Sequence, residues 1–308
     1  MATTTSITTT YAGEFAGKYV SAALLSADTL EGGGITIKPN VKYKEVLKTM
    51  NLDAITADAT CDFSDTSTLT LAEKILTPKE LQVNLELCKS DFVSDWEAIS
   101  MGYSAFDELP SNFADYLIGY VASKVAAKNE TNIWAGADAN AGEYDGFTAL
   151  LAADASVVDV VGTTINAANV IVEMGKVVDA IPPALYGKED LYLYVSQHIA
   201  RSYVRALGGF GANGLGANGV AAMGTTWFNG GDLAFDGVKI FVASGMPTND
   251  MVAAQKSNLF FGTGLLSDQQ EVKLLDMADL DGSQNVRVVM RFTAGVQIGI
   301  GADIVYYT

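Results

Sequence analysis

The stretch Pro110-Ser111-Asn112-Phe113-Ala114-Asp115-Tyr116-Leu117-Ile118-Gly119-Tyr120-Val121-Ala122-Ser123-Lys124-Val125 continues through Glu130-Thr131-Asn132-Ile133-Trp134-Ala135-Gly136 to Tyr144-Asp145-Gly146-Phe147. Apolar residues recur at Phe113, Leu117, Val121 and Val125, and Ile118 and Ala122 widen the stripe. That spacing is the 3.6-residue period of an amphipathic helix. Proline suits a helix N-terminus, where its missing N–H would have had no partner. The pattern predicts a helix from Pro110-Ser111 to about Trp134, roughly 24 residues and about 36 Å long. Gly136 and Gly142 break it, and Tyr144-Asp145-Gly146-Phe147 reads as a turn.

Upstream, Leu69 and Leu71, then Leu81, Val83, Leu85 and Leu87, alternate with polar residues. Alternation is the strand period, and Thr77-Pro78-Lys79-Glu80 lies between the two arms, so a projecting hairpin is expected over Leu69–Leu87. Its arms would reach roughly 25 Å. A two-stranded ribbon is marginal alone in water, so it should lie on another surface. Further upstream, residues 1–10 are almost all Thr, Ser and Ala and read as an arm. Tyr11–Ser26 has helical spacing, Glu31-Gly32-Gly33-Gly34 breaks the chain, and Ile35, Ile37 and Val41 are extended.

Downstream, a helix is expected over Thr164–Ile181, with Ala167, Val170, Ile171, Met174, Val178 and Ile181 on one side and Pro182-Pro183 as its stop. Leu191, Leu193 and Val195 alternate as a strand, Gln197–Leu207 reads as a helix, and Val238, Ile240 and Val242 form another strand. Between them Gly208–Gly219 is a glycine-rich loop. The C-terminal pattern, from Val286 to Phe292, Val296 to Ile300 and Ile304 to Tyr307, is extended and should complete a sheet begun earlier. The alternation of strands and helices indicates a compact mixed α+β fold.

The 308 residues carry 19 Lys+Arg against 36 Asp+Glu, a formal net charge of −17. No basic run exists, so a nucleic-acid grip is a poor reading, because phosphate binding is built from basic clusters. A hydrophobic share of 49% supplies a core and argues against intrinsic disorder. No window of about 18 uncharged apolar residues exists, so no membrane helix is expected. The N-terminus lacks a signal-peptide pattern, which with only two cysteines, Cys61 and Cys88, suggests a reducing setting. Both cysteines read as small buried apolar residues.

Candidate chemistry fails motif by motif. Gly209-Phe210-Gly211-Ala212-Asn213-Gly214 and Gly214-Leu215-Gly216-Ala217-Asn218-Gly219 match the dinucleotide pattern in letters. A helix precedes them where a strand is required, so a loop is expected. His198, the single histidine, has Arg201 and Arg205 nearby but no nucleophile elbow anywhere in the chain. Asp276, Asp279, Asp281 and Gly282 fail the calcium-loop register. Gly13–Lys18 falls short of a phosphate loop, and Asn129-Glu130-Thr131 is a sequon in form only. The chain reads as no enzyme, with no catalytic, cofactor-binding or metal residues. A flexible arm and a ribbon that cannot bury themselves alone belong to a subunit that assembles.

In this order the elements resemble the major capsid protein of tailed bacteriophages, with the Hong Kong 97-like fold. The likeness is carried by Leu109–Leu151 as a spine helix and its closing glycine turn, and by Thr68–Cys88 as an E-loop. Phe235-Asp236-Gly237-Val238-Lys239-Ile240-Phe241-Val242-Ala243-Ser244-Gly245-Met246-Pro247 is similar to a strand and turn of the axial domain, and Phe260-Phe261-Gly262-Thr263-Gly264 to the return towards the peripheral domain. The resemblance implies an arm over 1–52, an E-loop over 53–92, a peripheral domain over 93–152, an axial domain over 153–262 and returning strands over 263–308. It implies copies of the same chain in hexamers and pentamers, enclosing double-stranded DNA without specific binding and with no membrane. A separate scaffolding protein, a portal and decoration proteins would be further partners, and the virion, assembled in the host cytoplasm, the location. Lys74, Thr77, Pro78, Lys79 and Glu80 are the implied assembly contacts of the E-loop, and Gly209, Gly211, Gly214 and Gly216 the axial loop at the ring centre. Two alternatives are a cargo-holding encapsulin shell and a cytosolic enzyme.

Overall fold

The computed structural model describes residues 28–41, 43–52, 56, 58, 59, 61, 67–88, 111–208, 233–264, 273–278 and 282–308. The expected N-terminal arm and helix, the glycine loop with Gly209, Gly211, Gly214 and Gly216, and Asp279 and Asp281 lie outside the described residues. In chain order the elements are α1 (Asp28–Glu31), β1 (Thr36–Lys38), β2 (Glu45–Leu52), β3 (Leu69–Leu76), β4 (Lys79–Cys88), α2 (Ser111–Ala135), α3 (Phe147–Ala153) and β5 (Val158–Val160). They continue with α4 (Val170–Asp179), β6 (Leu191–Ser196), α5 (Gln197–Gly208), β7 (Ala234–Phe235), β8 (Val238–Ala243) and β9 (Met251–Gln255). Then come β10 (Leu259–Thr263), β11 (Lys273–Asp276), β12 (Asn285–Ile298) and β13 (Val305–Tyr307).

The 25-residue α2 is the predicted helix, and Ile118, Val121, Val125 and Ala126 are its buried stripe. Its last turns bury more than a stripe: Asn129, Glu130, Asn132, Ile133 and Trp134 are all inside, and Lys128, Thr131 and Ala135 face outward. The glycines explain how. Gly146 N–H donates to the Gly136 carbonyl at 2.9 Å, and a Cβ on either glycine would overlap backbone of the helix end or of the returning turn. The chain therefore doubles back tightly enough for Phe147 to stack 5.3 Å from Trp134. Here α1 also docks. Thr29 donates from its N–H (3.1 Å) and its hydroxyl (2.5 Å) to Glu130, and Trp134 Nε1 donates to the Thr29 hydroxyl at 2.7 Å.

Two sheets flank this junction. In the first, β12 is central: β4 pairs along Asn285–Ala294, β11 along Val286–Val289, and β10 along Ala294–Ile298, with parallel β1 beyond β10. The second has the order β5-β13-β9-β6-β8-β7. Helices α4 and α5 cover one face of it through Met174, Val177, Ile199 and Tyr203 against Leu193, Val195, Met251 and Tyr307. Tyr194, Val252, Ala254 and Tyr306 point the other way, into the core around Trp134. The β7–β8 turn is Asp236-Gly237, both at positive φ (50° and 80°), the arrangement that Asp-Gly favours in two-residue hairpins.

Four expectations are corrected. The hairpin over Leu69–Leu87 does not form: β3 pairs with β2, and β4 pairs with β12. The reason is local, because a two-residue hairpin needs a turn with positive φ, and Thr77-Pro78 cannot supply one. The ribbon therefore begins at Glu45, and β10 joins the first sheet. The helix expected from Thr164 starts only at Val170, since Asn166 Oδ1 accepts from the Ala168 N–H (2.8 Å) and Asn169 Oδ1 from the Asn166 N–H (2.7 Å). These side chains fold the backbone into a turn before the helix. Ile171 accordingly faces outward, 46% exposed. Cys61 is exposed in the β2–β3 connection, and Cys88 is half-buried at the end of β4, opposite Asn285 at the start of β12.

Candidate assembly surface

Strands β2 and β3 form a two-stranded sheet of eight residue pairs, from Glu45–Leu76 to Leu52–Leu69. Directly opposed residues share a face. One face carries Val46 with Ile75, Lys48 with Glu73, and Met50 with Leu71, with Leu69 beyond them. It is apolar but for Lys48 and Glu73, and no described residue of the chain covers it: Met50 is 65% and Leu71 71% exposed. A row of large apolar side chains in water on so small a sheet marks an interaction surface.

The base of the ribbon is held firmly. Leu76 is fully buried and Leu47 nearly so. Leu76-Thr77-Pro78 crosses the first sheet where Gly262 and Gly295 stand opposite each other. A Cβ on Gly262 would meet Leu76 at 2.7 Å, and one on Gly295 would meet Pro78 at 2.9 Å. The paired glycines thus leave the groove through which the chain leaves one sheet and enters the other. Gln297 Nε2 donates to the Ile75 carbonyl at 2.8 Å, and Lys74 bonds Asp154 at 2.6 Å. Lys74 and the Ser156 hydroxyl hold the Asp154 carboxyl down at about 2.

The expected contact residues divide accordingly. Lys74, Thr77 and Pro78 anchor the ribbon instead of tipping it. Lys79 lies in the first sheet, donating to Asp138 Oδ1 at 2.6 Å and to the Glu143 carbonyl at 2.8 Å. Glu80 is exposed beside it, opposite Thr293. Glu143 in turn accepts from Lys128 and Asn140, which hold its carboxyl at about 2. These contacts tie β4 to the turn after α2. Sequence reasoning missed Val46, Met50 and the Gly262–Gly295 pair. The available signal was the strand period of Glu45–Leu52, whose alternate residues Val46, Met50 and Leu52 are apolar.

Of the motifs weighed for chemistry, His198 is exposed on α5, and among the described residues no group of three His, Cys, Asp or Glu could hold a metal ion. Two buried tyrosines sit against carboxylates. Tyr307 donates to Glu173 at 2.8 Å, and burial with that carboxylate raises its phenol to about 12. Tyr306 donates to Asp250 at 2.9 Å, and burial raises its phenol beyond the ordinary range. Each pair sits at the end of β13 and secures it to its neighbours.

No protein-family description and no curated protein sequence matches the chain. Solved structures do. The capsid of a native GTA particle matches at a TM-score of 0.58 and 16% identity, over 93% of this chain and 89% of that one. The capsid of Myoviridae phage XM1 matches at 0.57 and 12% identity, over 91% of both chains. The chain has the Hong Kong 97-like capsid fold. A virus-like particle from Pyrococcus furiosus also matches, at 0.51 and 10% identity, over 96% of this chain and 100% of that one. The Hong Kong 97-like fold is thus kept at identities of 10–16%. What must be kept is the pattern of buried and exposed positions, which many sequences satisfy.

Proposed function

We propose that this chain is the major capsid subunit of a tailed phage, a non-enzymatic protein that assembles with copies of itself into an icosahedral shell around double-stranded DNA. The observation that carries the reading is the β2–β3 ribbon. It is an apolar face of a marginal two-stranded sheet, anchored at its base and left uncovered by the described residues of its own chain, on a fold shared with capsids. A neighbouring copy is the surface that would cover it. In the vocabulary of the fold, the ribbon is the E-loop. The peripheral domain is the first sheet with α2, and the axial domain is the second sheet with α4 and α5. The surplus of acid keeps the enclosed DNA unbound, since like charges repel. The virion is the location, after assembly in the host cytoplasm. Scaffolding, portal and decoration proteins are further partners, and no cofactor is needed.

The alternative shell reading, an encapsulin-type compartment holding protein cargo, differs from this one in what the shell encloses. Electron microscopy of purified protein tests both readings. Uniform closed shells support a shell subunit, and compact monomers at all concentrations sink it. DNA inside shells isolated from their native source marks a phage capsid, and a co-purifying enzyme marks a cargo compartment.

A further inference from the structure

We propose that the cationic face of α5 seats an acidic surface of a second copy of this chain, an inference that rests on the shell-subunit reading above. His198, Arg201 and Arg205 stand at i, i+3 and i+7, so a single helix face carries all three. All are exposed, and together they line an open cleft of about 330 Å³. The cleft is built on fixed groups. The Ser196 hydroxyl donates to the Thr248 carbonyl at 2.7 Å, and Gln197 Nε2 donates to the Ser244 hydroxyl at 2.9 Å. Asp28 lies at the margin, and its carboxylate is taken by the Ser244 hydroxyl instead of by either arginine.

Among the described residues, no carboxylate neutralises the two arginines of this face. Lys38, Lys74, Lys79, Lys128, Lys176 and Arg287 each pair with a carboxylate of the same chain. Among the described residues, Arg201 and Arg205 pair with none. The whole chain carries 36 acidic residues against 19 basic ones. A face of unpaired arginines is therefore complementary to the average surface of another copy. Rings of identical subunits close through head-to-tail contacts, in which one face meets a different face of the next copy. A cationic face against an acidic one can then recur at every joint, orienting the approach and offsetting the repulsion between acidic subunits. Nucleic-acid phosphate is the competing anion. Two arginines on a body of net charge −17 hold a polyanion poorly, since that grip grows with the number of phosphates neutralised.

The test compares two double variants with the same change in net charge. R201E/R205E reverses the proposed face. K188E/K239E reverses two exposed lysines elsewhere on the same domain. Assembly is followed by light scattering and electron microscopy, and folding of each subunit by circular dichroism and thermal denaturation. R201E/R205E should assemble about tenfold more slowly than wild type or not at all, with an unchanged melting temperature, while K188E/K239E stays within about twofold. The milder R201Q/R205Q should fall between, and it replaces R201E/R205E if that variant does not fold. Equal slowing of both charge-reversed variants would overturn the proposal, because net charge alone would explain it. Wild-type assembly by R201E/R205E would overturn it too, with or without reduced retention of DNA in the shells; reduced retention would assign the cleft to nucleic acid. Failure of the wild type itself to form shells strikes instead at the shell reading.

Discussion

At the scale of single residues, the end of α2 leaves little room for change. Gly245 lies against the backbone of Glu130, where a Cβ would overlap the Glu130 carbonyl. Gly245→Val should therefore cost about 1–3 kcal/mol in chemical denaturation, the usual penalty of overpacking. Gly119 is also on α2, yet it has nothing within 4 Å of an added Cβ. Gly119→Ala should instead stabilise by about 0.5–1 kcal/mol through helix propensity, and a loss of stability there would contradict the open space. Glu130 offers a test by pH. Burial raises its carboxyl above the ordinary 4.5, against the pull of the Thr29 hydrogen bonds. A raised group contributes stability that is fully present below its unfolded value and lost as pH rises through the folded one. Acidifying from neutrality towards 4.5 should therefore stabilise wild type relative to Glu130→Gln, with melting temperatures as the readout. Glu130→Ala should be worse than Glu130→Gln at every pH, by about 1–3 kcal/mol, because it leaves the Thr29 N–H and hydroxyl buried without an acceptor.

At the scale of elements, the ribbon combines a fixed base with a bare face, and the two parts can be tested apart. Lys74 ties the base to Asp154, whose carboxyl is held at about 2 against an ordinary 3.8. A depressed carboxyl stabilises above its unfolded value, and the contribution disappears as pH falls through the folded one. Between about pH 4 and pH 2 the ribbon should become easier to cleave in limited proteolysis with an acid-active protease. Asp154→Asn should show the same sensitivity already at neutral pH. The effect on global stability should be no more than about 1 kcal/mol, as for a partly exposed pair. The bare face predicts the opposite split. Met50→Glu with Leu71→Glu should leave melting unchanged and abolish shells, because neither side chain is buried in the subunit. Normal shells from that double variant would remove the ribbon from the interface. Deleting Lys74–Glu80 is a poorer experiment, since it takes away buried Leu76 and the start of β4.

At the scale of the whole molecule, the topology joins a locked body to an uncovered ribbon. Strand β12 lies between β4 on one side and β10 and β11 on the other, and β13 continues from it into the second sheet. Trp134 packs against Phe147 and, across the junction, against Tyr194, each at 5.3 Å. The two sheets are thereby locked around one aromatic centre, and the ribbon is left as the part free to engage a neighbour. A net charge of −17 on every copy opposes association at long range. Raising salt from 0.01 M to 0.1 M shortens the screening length from about 30 Å to about 10 Å. Assembly should accelerate over that range, as followed by light scattering, and slowing would mean that attractive charge contacts outweigh the net repulsion.

How much of this was legible in the sequence depended on the range of the cause. Helix α2, strands β6 and β8, helix α5 and the extended C-terminus follow from the period of their apolar residues. Each buries its own stripe or face, whatever it packs against. The start of α4 was misplaced even locally, because Asn166 and Asn169 spend their side chains on a turn that apolar spacing does not register. Pairing was decided only in three dimensions. The alternation in β3 and β4 is the same whether they pair with each other or with β2 and β12. The choice was made by a Thr-Pro join that cannot turn the chain and by two glycines, Gly262 and Gly295, far along the sequence, that let it cross. The candidate surface was found only in part for the same reason. Lys74 to Glu80 could be read as a turn between strands, but that Met50 and Leu71 share one uncovered face is a matter of register, and register is set by long-range contacts.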